Sequence, residues 1–286
     1  MKSLILDFDG SVKPLPNELR IDFRHSQEKI RFGCRLEALE VLEKLNPDDT
    51  LTSQPGITFL GSGDFHHLSH WLISRYARLN QAIQVVVFDN HPDNMRYPFG
   101  IHCGSWVWHA SRLPCVSCVH VVGITSKDVE AAHGWENHLR NLRSGKVRYW
   151  CVGRDLGWMG RLGIHHSHSF ATTSAMLAAF QAQLAVSPAP TYLSIDKDVL
   201  SVEDARTNWD QGVMRLAEME AAIRQFRQQV IACDVTGDIS VYRYKSRFKR
   251  FLSGIDGQTG IGTADLERWQ LAQQAINLKL LQCLSA

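Results

Sequence analysis

The 286-residue sequence is poor in cysteine, with seven scattered along its length and a single C-x-x-C pair, Cys115 and Cys118, that has no second pair at finger spacing. An odd, dispersed set argues against a disulfide framework and for reduced thiols in a cytosol-like compartment. The pair lies inside the apolar run LPCVSCVHVVGI and reads as strand residues rather than a zinc or redox site. No run of about 18 apolar residues occurs, as a membrane span would need, and no membrane partner is expected. Acidic residues follow directly on the short apolar start MKSLILDFDG, unlike the core of a signal peptide, so a cytoplasmic location is expected. Net charge is also scarce: 31 Lys and Arg against 29 Asp and Glu leave +2, too little for a global pull toward nucleic acid. Linkers, low-complexity stretches and internal repeats are lacking, so residues 1–286 read as a single domain.

What is present is a succession of short β-rich runs: LILDF (4–8), GITFLGS (56–62), QVVVFD (84–89), CVHVVGI (118–124), VRYWCVG (147–153), TYLSID (191–196) and QVIACDV (229–235). Most are continuously apolar rather than alternating, the pattern of strands covered on both faces. Helical patterns at 67–80, 174–185 and 215–229 lie between them. Strands alternating with helices predict an α/β fold, a three-layer α/β/α sandwich with a mostly parallel central sheet. The basic run from Tyr242 to Arg250 reads as a solvated loop or helix face, and His165, His166 and His168 read as a loop. In such sheets the ligand site lies beyond the carboxyl ends of the strands, so the polar residues there carry the functional argument.

Histidine is unusually abundant, with 13 residues, many beside carboxylates. The strand QVVVFD runs into Asp89-Asn90-His91-Pro92-Asp93, and alternate residues of an extended chain point the same way. A turn capped by Asp and Asn is the plainer reading of that segment. TYLSID ends in Asp196-Lys197-Asp198, where two acids placed together repel unless a cation or proton compensates; a solvated loop neutralised by Lys197 is the alternative. GITFLGS leads through Gly63-Asp64-Phe65 into His66 and His67; there Asp64 could instead be a helix cap, and His67 and His70 surface residues.

Together these segments resemble the ureohydrolase superfamily of arginases, agmatinases and formiminoglutamases, whose patterns are G-G-D-H-S, D-A-H-x-D and S-x-D-x-D-x-x-D-P. They read GSGDFHH, DNHPD and SIDKDVLSVED, in the same order, with the resemblance spanning roughly residues 57 to 238. The resemblance implies an arginase-like domain holding two Mn²⁺ ions. It implies a metal-bridging hydroxide that cleaves a non-peptide C–N bond in a guanidino or amidine-type small molecule. By position it makes Asp89, His91, Asp93, Asp196 and Asp198 metal ligands, with one more from the first motif. His102, in FGIHCGS, resembles the family's proton-shuttling histidine, and a His can protonate a leaving amine at neutral pH. Carboxylate and imidazole donors without thiolate suit Mn²⁺, with Zn²⁺ or another divalent ion possible. Trimers and hexamers are frequent in the family, so a homo-oligomer is possible.

The departures from the pattern fall mainly on substrate recognition. An ungapped match puts Asp64 at the first ligand position, whereas one inserted residue puts His66 there, and we adopt the second. The tandem His66-His67 also resembles histone-deacetylase-like enzymes, which implies an alternative amide hydrolase with one metal and His67 in acid/base catalysis. The closing D-P is replaced by Glu203-Asp204, and the segment Asn208 to Gly212 replaces a stretch of small residues and proline. The glutamate that grips the guanidinium has no clean counterpart, leaving Asp210 and Glu218 as candidates to bind a substrate cation. A later family element, D-x-x-E, appears as Asp234 to Asp238, with Asp in place of Glu and one position later. Weak recognition residues leave a second alternative, a metal-binding scaffold without turnover. Asp7-Phe8-Asp9-Gly10-Ser11 resembles the nucleophile motif of haloacid-dehalogenase phosphatases, but its downstream partners are missing and a turn after the first strand is expected.

Overall fold

The computed structural model describes residues 2–45, 56–76, 81–246, 249–250 and 261–285. Its strands are β1 (Lys2–Asp7), β2 (Glu18–Asp22), β3 (Gly33–Cys34), β4 (Gly56–Gly61), β5 (Ile83–Phe88), β6 (Ile101–His102), β7 (Val116–Ile124), β8 (Val147–Val152), β9 (His168–Phe170), β10 (Thr191–Asp196) and β11 (Val230–Thr236). Nine of them form one sheet in the order β2-β1-β4-β11-β10-β5-β7-β8-β9. Every pairing in it is parallel. β3 and β6 form a small antiparallel pair apart from it.

Successive residues of the central strands enter two different cores. Val85 and Val87 join Leu72, Trp71 and Trp106 from the helices Leu68–Tyr76 and Trp106–Ser111. Val86 and Phe88 join Phe180, Ile223 and Leu280 from the helices Thr173–Val186, Leu216–Phe226 and Thr263–Ser285. This is the three-layer α/β/α arrangement, and it explains why these strands are apolar on both faces. The edge strands are different. β2 (ELRID) and β9 (HSF) are short, polar and half covered, so they escape a search for apolar runs, and His168 lies on β9 rather than in a loop.

The helical patterns become Leu68–Tyr76, Thr173–Val186 and Leu216–Phe226, with residues 77–80 of the first pattern outside the described residues. The basic run is not solvated in the way its charge suggests. Tyr244 is buried, Tyr242 donates to Glu28 Oε2 at 2.7 Å, and the Lys249 ammonium donates to the Arg31 carbonyl at 2.8 Å, while residues 247–248 lie outside the described residues. All seven cysteines are free, and no helix among the described residues is long and apolar enough to cross a membrane.

Because the sheet is all-parallel, the segments leaving β4, β5, β10 and β11, four of its five central neighbours, emerge at one edge. β7 lies next to β5 and bulges against β8 beside Gly123, whose φ is +105°. A Cβ there would meet Val199 Cγ2 at 2.4 Å, with the Asp89 carbonyl 3.6 Å away. Gly123→Ala therefore forces a side chain into both a disfavoured backbone region and a closed space. It is expected to cost roughly 1–3 kcal/mol of stability, and a thermal melt matching the wild type would refute that.

Candidate metal centre

The chain leaving β5 folds back on itself through its own polar groups. The Asp89 carboxylate accepts from the His91 amide at 2.7 Å, and the Asn90 amide donates to Asp198 Oδ1 at 3.0 Å, tying this segment to the one that leaves β10. Asp93 holds a φ of +45° while its Oδ2 accepts from Trp106 Nε1 at 2.7 Å. After β10, the Asp198 amide donates to Asp196 Oδ1 at 3.0 Å. After β4, the Ser62 side chain caps the 3₁₀ turn Gly63–Phe65, and His66 follows at its end.

These turns bring all six residues expected as metal ligands together. His66 Nδ1 lies 3.2 Å from Asp89 Oδ2, 3.0 Å from Asp93 Oδ2 and 3.5 Å from Asp196 Oδ2. His91 Nδ1 lies 3.0 Å from Asp198 Oδ2 and 3.6 Å from Asp89 Oδ1. Two donor groups result, His66-Asp89-Asp93 and Asp89-His91-Asp198, each with its ligand atoms within 4.8 Å of one another. Asp89 belongs to both.

The electrostatics of this cluster call for a cation. Asp89, Asp93, Asp196 and Asp198 are all buried, with two imidazoles between them. Burial, and then the charge of Asp89, pushes both Asp93 and Asp198 up to about 7. Burial and the Asp198 charge raise Asp196 as well. Burial opposes charging of His66 and His91, but the carboxylates around each outweigh it and raise both. Protons thus stand between these acids where a divalent ion can stand instead. The donor set, carboxylate and imidazole without thiolate, fits Mn²⁺ and its neighbours in hardness.

Sequence reasoning missed the groups that orient the two imidazoles. Ser194 Oγ donates to Asp234 Oδ1 at 2.7 Å, so the Ser194 lone pair is left to accept from His66 Nε2 at 3.0 Å. Ser69 and Tyr192 donate to the same Asp234 carboxylate at 3.0 and 2.6 Å. With a hydrogen on Nε2, His66 presents Nδ1 to the acids, protonated in the metal-free chain and free to ligate once that proton leaves. Asp210 does the same for His91, its Oδ1 lying 2.7 Å from His91 Nε2. Such outer partners fix the tautomer of a ligating histidine. Ser194 and Asp234 sit on buried strands, where their spacing looks like ordinary core.

The remaining candidates are distributed differently. Asp64 is not in either donor group: its Oδ2 receives Arg31 Nε at 2.6 Å, and both side chains are buried. His67 is fully buried and off the cavity wall; burial holds it neutral, and neither ring nitrogen has a hydrogen-bond partner among the described residues. Glu218 caps the helix Leu216–Phe226 by accepting from the Arg215 amide at 2.9 Å, also away from the cavity. Asp210 is engaged with His91 and Asn90 and does not line the cavity. His102 does line the cavity, with Nδ1 unpartnered and burial pulling its pKa down to about 4. The cavity above the donor groups holds about 360 Å³, a size suited to a small molecule.

No known family profile matches the sequence. A Thermotoga maritima protein described only as uncharacterized is 28% identical over 238 residues, which is 82% of this chain and 78% of that one. Among solved structures, an arginase from Bacillus cereus superposes with a TM-score of 0.56 at 13% identity, covering 99% of this chain and 97% of that one. A hypothetical agmatinase from Burkholderia thailandensis gives 0.54 at 15% identity, covering 99% and 84%. A Trypanosoma cruzi formiminoglutamase solved with Mn²⁺ gives 0.53 at 13% identity, covering 86% and 71%. All three are ureohydrolase superfamily structures, and the chain has their arginase-like fold at a large sequence distance.

The placement of the first motif is directly testable. His66→Ala is expected to lower Mn²⁺ content measured by elemental analysis. Asp64→Asn should keep the metal but take from the buried Arg31 the nearer of its two carboxylates, leaving Asp9 Oδ2 at 3.6 Å, at a cost of roughly 1–3 kcal/mol in a melting experiment. Loss of metal from Asp64→Asn alone would reverse the assignment.

Proposed function

We propose that this arginase-like fold is a divergent ureohydrolase-superfamily enzyme, a hydrolase that uses two divalent ions, Mn²⁺ first among them, to cleave a non-peptide C–N bond in a guanidino or amidine-type small molecule. The observation that carries the reading is Asp89, which offers one oxygen to each of two adjacent donor groups. His66, Asp89 and Asp93 would hold one ion, and Asp89, His91 and Asp198 the other. Asp196, whose Oδ2 faces His66, would be shared. Ions in such pairs supply Lewis acidity and bring the pKa of a bound water toward neutrality.

The chain's own residues supply the rest. Asp234, through Ser194, and Asp210 keep the two imidazoles in the tautomer that binds. Trp209, Met95 and Pro92 line the cavity beside the donor groups and limit access of water. His102, buried on the same wall and held neutral by burial, would first take up a proton as the attacking water gives it up and then pass it to the departing amine. The single-metal alternative needs His67 as half of an acid/base pair, and the position of His67 off the cavity wall weighs against it.

Elemental analysis of the purified protein in Mn²⁺ should approach two ions per chain, and Asp89→Ala should lose most of both while the fold persists by circular dichroism. One ion in the wild type, or full metal in Asp89→Ala, would overturn the ligand set. In assays of ammonia or urea release from guanidino and amidino compounds, His102→Asn should keep its metal and lose roughly 10²–10⁴-fold in kcat, the usual worth of general acid–base help. Full metal with no release from any such compound would leave a scaffold in place of a hydrolase.

A further inference from the structure

The carboxylates that sequence reasoning offers for a substrate cation are committed elsewhere: Asp210 to His91, and Glu218 to a helix cap. Asp238, one position past where the family pattern has glutamate, receives the buried Lys197 ammonium at 2.8 Å. Two other carboxylates line the cavity beyond those of the donor groups, Asp128 and Glu136. Asp128 sits in the 3₁₀ turn Lys127–Val129, where its amide donates to Ser126 Oγ at 3.2 Å and its carbonyl accepts from Asn137 Nδ2 at 2.9 Å. Its carboxylate has no hydrogen-bond or ion-pair partner among the described residues. Glu136 Oε1 lies 3.1 Å from His133 Nδ1, itself on the wall. No Lys or Arg lines the cavity among the described residues. His102, 8% exposed, adds an Nδ1 without a hydrogen-bond partner among the described residues, a second sign that this wall awaits a ligand.

Charge decides what that ligand is. Two divalent ions would balance the four aspartates of the centre, which leaves Asp128 and Glu136 as the uncompensated charge of the wall. We propose that Asp128, supported by Glu136, is a specificity-determining residue that selects substrates whose end remote from the scissile carbon is an ammonium and rejects those ending in a carboxylate. This rests on the hydrolase reading above. A carboxylate tail would meet like charge with no Lys or Arg of the described residues on the wall to receive it, whereas an ammonium is drawn in by both acids.

The test uses the Mn²⁺-loaded full chain and three guanidines of equal length: agmatine, 4-guanidinobutanamide and 4-guanidinobutyrate, ending in ammonium, amide and carboxylate. Binding is measured by calorimetry, which requires no turnover, and product release is followed in parallel. Agmatine should bind at least about ten-fold tighter than 4-guanidinobutyrate, and Asp128→Asn should shrink that ratio to about three-fold or less with metal content unchanged. Equal or tighter binding of the carboxylate compound, or no binding of any of the three, overturns the proposal. So does a ratio that survives both Asp128→Asn and the double variant with Glu136→Gln. Charge-ordered binding without product release would sink hydrolysis and leave the selection standing; release with the opposite order would do the reverse.

Discussion

Four buried carboxylates converge at one edge of a parallel sheet, and much of the surrounding structure can be understood as managing their repulsion. Asp196 ends β10, while Asp89, Asp93 and Asp198 lie in the turns that leave β5 and β10, two adjacent strands. The turns' own hydrogen bonds, Asn90 amide to Asp198 and Asp198 amide to Asp196 among them, hold the acids together. What compensates them must come to the centre, as the protons of the histidines and aspartates or as a cation such as the proposed metal. His66 and His91 stand between them with ring orientations set from behind, by Ser194 and Asp234 on one side and Asp210 on the other. The support is asymmetric. His66 is held by a fully buried relay on the sheet, whereas His91 is held by an aspartate whose side chain is 70% exposed, which makes its orientation the more readily disturbed of the two.

A second charge problem is solved next to the first. Lys197 lies between two acids of the centre in sequence, yet its side chain turns away from them, fully buried, to Asp238 and to Asn277 Oδ1 at 3.0 Å. Asn277 returns a hydrogen bond to Asp238 Oδ1 at 3.1 Å. A buried ammonium is tolerated only with such pairing. The consequence reaches the centre: the helix Thr263–Ser285, which touches no donor group, anchors the short turn that carries Asp198. Gly237 completes the fit, because a Cβ there would stand 2.5 Å from Asp196 Oδ1.

How much of this was legible depended on whether the determining contact was local. The central strands announced themselves because burial on both faces demands unbroken apolar runs, and the metal cluster because its acids recur at alternate positions past two strand ends. The edge strands β2 and β9 carry half the burial and so half the signal. Asp210 and Glu218 stand as substrate-binding candidates in the sequence for one reason: a carboxylate looks equally free there whether it faces solvent, a histidine or a helix end. Lys197 looked like a solvated neutraliser for the same reason. Only tertiary placement distinguishes these uses.

The first motif shows most directly how a distant contact decides a local ambiguity. Asp64 and His66 both lie in reach of the ligand position by sequence, and both carry suitable donors. Arg31, 33 residues upstream and 1% exposed, holds the Asp64 carboxylate at 2.6 Å and stacks over the Phe65 ring at 5.5 Å. Its Nη2 lies 3.3 Å from Ser62 Oγ, the atom that caps the turn. With Asp64 drawn back onto this guanidinium, the 3₁₀ turn advances the chain so that His66, not Asp64, faces Asp89 and Asp93. On the reading that inserts one residue into the first motif, this buried ion pair is what accommodates it, because it turns Asp64 away while His66 faces the acids.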